Sequence, residues 1–132
     1  MALETAFSMD TSSIKYGAGV TEEVGHEMES LGAKRVMVVT DPGLVQSDPV
    51  TITLKSLKTA GIDSFLFGQS RVEPTDISFK EAIDVATEGS FDGYVAVGGG
   101  SSIDTAKAAN LYATYPADFL FYVNEPIGKG AP

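Results

Sequence analysis

Between Val95 and Lys107 the chain reads Val-Ala-Val-Gly-Gly-Gly-Ser-Ser-Ile-Asp-Thr-Ala-Lys. A short apolar run meets three glycines and then opens into a helical pattern. That order suits a strand that leaves a sheet and turns back along one of its faces. Successive glycines are costly in backbone entropy, and two reasons for them are open. One is a tight turn that needs freedom. The other is close approach of bare backbone to a ligand, where N–H groups and the positive end of a helix favour a phosphate.

The motif is neither of the common nucleotide signatures. Gly98 and Gly100 satisfy the first two positions of Gly-x-Gly-x-x-Gly, but Ile103 stands at the third. Lys107 lies too far along the helix for a Walker loop. Ser101 or Ser102 is expected to cap the helix, and either hydroxyl could also donate to a phosphate oxygen. Asp104 and Lys107, three residues apart, can pair with each other; otherwise Asp104 meets polar groups of a cofactor or fixes a neighbouring loop, and Lys107 reinforces local anion binding.

Upstream, strand and helix patterns alternate. Phe7 to Lys15 carries weak extended signals ending at Tyr16-Gly17. Thr21 is placed to cap a helix with Glu22 and Glu23 in its first turn, an apolar stripe of Val24, Met28 and Leu31, and a stop at Gly32. Arg35 to Thr40 is a β-branched run suited to a strand covered on both faces. Asp41-Pro42-Gly43 turns the chain, and Asp48 is placed to cap a second helix with Pro49 at its first position, whose buried side runs from Ile52 or Thr53 to Leu57 and Ala60. Asp63 to Phe67 is the next strand. Arg71 to Thr75 reads as an extended link in which Pro74 keeps Glu73 out of the α region, and Thr75 caps a third helix. Phe79, Ala82, Ile83 and Ala86 give that helix its apolar side. Tyr94 to Val97 is a further strand, followed by a helix from Ser102 to about Thr114 with a face of Ile103, Ala106, Ala109 and Ala113. Short joins between these elements imply parallel strands and right-handed crossovers, an α/β fold with a Rossmann-like sheet and flanking helices. Glu125 to Pro132, rich in proline and glycine, reads as a loop within a longer design.

Composition narrows the partners. Nine basic against eighteen acidic residues leave a net charge of -9, which repels nucleic-acid backbones and anionic membranes. No apolar run approaches the roughly 20 residues that span a bilayer. There is no cysteine and a single histidine, His26, so a thiolate metal site is excluded, and His26 reads as an exposed or half-buried helix residue. Carboxylates are plentiful but carry no spacing that marks a metal cage. Asp41 follows the apolar strand at the edge where the glycines should emerge. There it can accept from ribose hydroxyls and repel a 2′-phosphate, or form an Asx turn with Pro42 and Gly43.

Taken together, Val95 to Asn110, Val72-Glu-Pro-Thr75 and Val39-Thr-Asp41 resemble the iron-containing alcohol dehydrogenase family. The resemblance runs from about Glu4 onward. It implies a dehydroquinate synthase-like nucleotide domain followed by a helical domain carrying the ligands of iron or another divalent metal. Residues 1–132 then correspond to an incomplete N-terminal NAD-binding domain, without the aspartate and three histidines of the metal site. By the same resemblance, Gly98, Gly99, Gly100 and Ser101 would hold the pyrophosphate of NAD and Asp41 the adenosine ribose. Pro74 and Thr75 would shape the adenine side, and Asp104 would lie toward the nicotinamide. The likeness extends to a mitochondrial transhydrogenase subgroup that passes a hydride from a 4-hydroxy acid such as 4-hydroxybutyrate to 2-oxoglutarate. The partners implied are small hydroxy and oxo acids, with a homo-oligomer open. Two other readings stand beside it: an NAD-dependent alcohol or polyol dehydrogenase, and a non-catalytic nucleotide-binding fragment. The chain by itself is expected to be inactive.

Overall fold

Val36, Met37, Val38 and Val39 are fully buried, and the helices are arranged to keep them so. The computed structural model describes residues 11–132. β1 (Arg35–Val39) is the middle of a three-stranded parallel sheet, with β2 (Asp63–Phe67) on one side and β3 (Gly93–Ala96) on the other. Met37 stands opposite Phe65 and Tyr94, and Val39 opposite Phe67 and Ala96. Because side chains alternate across a strand, β1 feeds two cores at once.

Val36 and Val38 pack with Met28, Leu57 and Ile62, under α1 (Val24–Ser30) and α2 (Asp48–Thr59). Met37 and Val39 pack with Ala82, Ala86, Ala106 and Ala109, under α3 (Asp76–Gly89) and α4 (Gly100–Thr114). The two layers close differently. Leu57 fills its side with bulk, worth about 2 kcal/mol on full burial, whereas the alanines let α3 and α4 lie close to the sheet. α1 and α2 also meet at backbone range. A Cβ on Gly25 would stand 2.2 Å from the Ser56 carbonyl oxygen. Ser56 Oγ accepts from Gly25 N–H at 2.8 Å and donates to the Glu22 carbonyl at 2.6 Å.

The parallel α/β architecture agrees with the sequence reading, and β2 agrees residue for residue. Several local expectations do not hold. Of the weak strand at Phe7 to Lys15, residues 7–10 lie outside the described part, and 11–16 have no regular structure. Thr21 caps nothing. Gly19, at φ 77°, reverses the chain and starts a 3₁₀ turn (Val20–Glu23) ahead of α1. Leu31 is 80% exposed, since α1 ends at Ser30 and the chain swings away through Gly32 at φ 81°. Ser47, not Asp48, holds the N-cap position of α2, and Asp48 and Pro49 fall inside its first turn. Pro74 does bar Glu73 from the right-handed helix region, but Glu73 takes φ 55° rather than an extended conformation, so the link turns. Ile103 is exposed, leaving Ala106, Ala109 and the partly buried Ala113 on the contact face. Thr75 caps α3 as expected, with Ser78 completing a reciprocal capping box.

At the far end of the sheet, Asp92 ties β1 to β3. Its carboxylate accepts from Arg35 N–H at 2.8 Å and from Lys34 N–H at 3.0 Å. These backbone donors, Arg35 first, hold its pKa below the ordinary 3.8. A lowered folded value means the contribution is complete above the ordinary carboxylate pKa and disappears as pH falls to the folded one. Asp92→Asn should therefore flatten the acid limb of the melting temperature against pH, read by circular dichroism. Gly25→Ala should cost about 2 kcal/mol in urea unfolding, because backbone rather than a movable side chain opposes the new methyl.

Candidate functional site

Three strand ends converge at the carboxyl rim, and Thr40 joins them. Its N–H donates to Phe67 O at 2.9 Å, its carbonyl accepts from Ser70 N–H at 3.1 Å, and its buried hydroxyl donates to Val97 O at 2.7 Å. The ladder pairs Val39 with Ala96; two residues further on, Asp41 and Gly98 leave the sheet at the same level. α2 follows β1 on one face and α4 follows β3 on the other. Such a divergence opens a crevice beyond the strand ends, the usual ligand position in open α/β sheets.

The three glycines have different reasons. Gly98 sits at φ 144°, and a Cβ there would come within 3.0 Å of Ser102 Oγ and 3.3 Å of Leu44 Cδ1. That glycine answers to the turn. Gly99 has φ -84°, and a Cβ on it or on Gly100 meets nothing within 4 Å. Their backbone lies bare beneath open space.

Gly99 is the N-cap of α4 and no side chain caps the helix. The expectation that Ser101 or Ser102 would do so fails, because the helix begins earlier and both serines fall inside its first turn. The N–H groups of Gly99, Gly100, Ser101 and Ser102 have no hydrogen-bond partner among the described residues, the first bond at this end being Ile103 N–H to Gly99 O at 3.2 Å. Ser101 is partly exposed. Ser102 is 1% exposed, and its hydroxyl meets that of Ser70 at 2.9 Å.

Asp41 is half-buried. Its Oδ1 accepts from Gly43 N–H at 2.8 Å, so the Asx turn forms, and its Oδ2 has no partner among the described residues. A hollow of about 530 Å³ starts beside it, lined by Pro42, Gly43, Val45, Gln46, Gly68 and Gln69. Pro74 and Thr75 stand at the end of the link that leaves this rim at Ser70, and the Thr75 hydroxyl is occupied in capping α3. Asp104 is exposed one turn into α4, and no ion pair joins it to Lys107. His26 is away from this set, exposed on α1 beside a groove shared with Glu22, Glu29 and Lys55.

The rim thus brings Asp41 level with Gly98, at the strand end that leads through Gly99 and Gly100 to Ser101. Thr40, Ser70 and Ser102 were missed as the braces behind it. Thr40 carried a signal, a hydroxyl closing an apolar run; Ser70 carried none. Among the described residues no three histidine, cysteine or carboxylate side chains gather as a metal site. No helix there is long and apolar enough to cross a membrane.

The chain is similar to proteins named mitochondrial hydroxyacid-oxoacid transhydrogenase. With that of Mus musculus it shares 56% identity over 128 residues, which is 96% of this chain and 28% of the relative. With that of Homo sapiens it shares 55%, covering 96% and 27%. Its structure resembles NADH-dependent butanol dehydrogenase A of Thermotoga maritima, with TM-score 0.77 and 28% identity over 87% of this chain and 29% of that one. A 1,3-propanediol oxidoreductase gives TM-score 0.74 and 33% identity over 77% and 27%. The chain spans little more than a quarter of the length of these proteins. With the family model for iron-containing alcohol dehydrogenase matching residues 11–132, the chain belongs to the iron-containing alcohol dehydrogenase family.

Proposed function

We propose that this chain forms the NAD(H)-holding part of a hydroxyacid-oxoacid transhydrogenase. The observation that carries the nucleotide assignment is the uncapped start of α4, where consecutive N–H donors lie open at the rim shared with Asp41. Hydrogen bonds to a charged acceptor contribute about 1.5–3 kcal/mol each, and the exposed helix end adds about 0.3–1 kcal/mol. The overall charge of -9 does not oppose this, because the local potential of bare N–H groups is positive. The space over Gly99 and Gly100 is open, which leaves room for a diphosphate to reach their N–H groups.

In this reading Gly98, Gly99, Gly100 and Ser101 hold the pyrophosphate, and Asp41 Oδ2 accepts from the adenosine ribose while Oδ1 maintains its turn. Pro74 and Thr75 border the adenine, and Asp104 faces the nicotinamide side. When bound, the nicotinamide takes up and returns a hydride. The donor set of the described residues does not fit iron or another divalent metal, so no step is assigned through one here. We place the metal ligands in a helical domain of the whole protein, outside the correspondence of residues 1–132 to an N-terminal NAD-binding domain.

The substrate assignment rests on the relatives. Identity of 55–56% with proteins named for hydroxyacid-oxoacid transfer supports hydride transfer from a hydroxy acid to an oxo acid; within those classes we propose 4-hydroxybutyrate and 2-oxoglutarate, giving succinic semialdehyde and 2-hydroxyglutarate. Their names also support a mitochondrial location. The structural likeness to an NADH-dependent butanol dehydrogenase favours a second reading, plain alcohol oxidation with release of NADH; transfer between two acids without added nucleotide separates the two.

Gly99→Val tests the diphosphate placement. Its Cβ has room, so the melting temperature should hold, while NADH affinity by calorimetry should fall at least about tenfold as the side chain covers the donors. Equal affinity in the variant overturns the placement. Asp41→Asn keeps the oxygen that receives Gly43 N–H and removes the charge. NADPH should then gain on NADH, and an unmoved preference counts against the ribose role.

A further inference from the structure

α3 and α4 begin with the same backbone plan and end with opposite outcomes. Each has an extended N-cap residue, Thr75 in one and Gly99 in the other, and each has serine three positions later. In α3 the serine turns back, and Ser78 Oγ accepts from Thr75 N–H at 2.9 Å. In α4 the equivalent Ser102 does not turn back. Its hydroxyl points into the core and meets Ser70 Oγ at 2.9 Å, with both residues 1% exposed.

Resting on the nucleotide reading above, we propose that Ser70 is a positioning residue that draws the Ser102 hydroxyl away from capping α4 and so keeps the Gly99 N–H free for the diphosphate. Serine at this helical position can accept from the N-cap N–H, as Ser78 does from Thr75 in α3. The buried partner makes the inward rotamer the satisfied one, because either hydroxyl left alone there would lack a bond. Ser70 is itself anchored, since its N–H donates to Thr40 O at 3.1 Å. The link after β2 thereby reaches across β1 to set the chemistry at the end of β3. The Ser102 oxygen also lies 3.0 Å from where a Gly98 Cβ would be, placing the brace directly behind the glycine bend.

The arrangement gives an order of affinities that simple destabilisation cannot. In Ser70→Ala the Ser102 hydroxyl is released to accept from Gly99 N–H, and NADH binding should weaken about fivefold to tenfold through competition with the cap. Ser102→Ala leaves the donors open and should stay within about twofold of the unmodified chain. The double variant Ser70→Ala/Ser102→Ala should recover most of what Ser70→Ala lost. Fluorescence titration of NADH reads these values, with melting temperatures measured in parallel. Amide exchange at Gly99 gives a readout that does not need the nucleotide: it should slow in Ser70→Ala and return to the original rate in the double variant. A double variant that binds no better than Ser70→Ala overturns the proposal, as does unchanged Gly99 exchange in Ser70→Ala. If the unmodified chain binds neither NADH nor inorganic pyrophosphate while the exchange pattern appears as expected, the nucleotide reading fails and the hydroxyl diversion stands alone.

Discussion

The ladder that β1 shares with parallel neighbours on both sides sets the position of every other part. A strand in that situation has no free edge and no free face, so Val36 to Val39 must all be buried, and each alternate side chain recruits its own pair of helices. Parallel pairing also sends every strand out at the same rim. The candidate rim is thus a consequence of how β1 is enclosed. Thr40 extends that enclosure past the last ladder residue and holds β2 and β3 ends in place through three hydrogen bonds.

Rigidity and openness are divided between neighbouring residues at the glycine bend. Gly98 is crowded, with Ser102 and Leu44 around it, and its unusual φ belongs to the turn. One residue later the crowding ends, and Gly99 and Gly100 face empty space. A site for a large anion needs both: a backbone that stays put without its ligand, and donors that stay unpaired. Serine pairing behind the bend serves both, bracing the backbone and, in the proposal above, leaving the helix start uncapped. The cost of leaving a helix uncapped, about 1 kcal/mol, is retained in α4 and avoided in α3 by its capping box.

Elements with a strong internal pattern were legible. Arg35 to Val39 advertised a doubly covered strand through unbroken apolar, β-branched residues, and Thr75 advertised a cap through its place after Pro74. Where the chain changes direction, legibility declined. Gly19 and Glu73 take positive φ and move the start of a turn or the course of a link, and such choices depend on what the chain must reach next. Leu31 and Ile103 show the same limit in the core: both fit an apolar stripe by spacing, yet one falls beyond its helix and the other on an outward face. Among the proposed site residues, Gly98, Gly99 and Gly100 stood out as three successive glycines between an apolar strand and a helix, and Asp41 as a carboxylate at the end of the other apolar strand. Ser101 and Ser102 were recognised but assigned to the wrong place in the helix, since a glycine left no side chain to mark the cap.

By itself the sequence determined the alternation of strands and helices, the central place of an apolar β1, and a bare backbone bend entering a helix. These follow from local chemistry: periodicity, β-branching and the absence of side chains at three positions. Tertiary structure decided which hydroxyls face each other. Ser70 and Ser102, thirty-two residues apart, are ordinary serines in sequence, and only the crossing of the β2 link over Thr40 brings them into one buried hydrogen bond. The openness of the Gly99 N–H belongs to that same decision, because a cap is made or withheld by the rotamer of one side chain, and packing sets the rotamer.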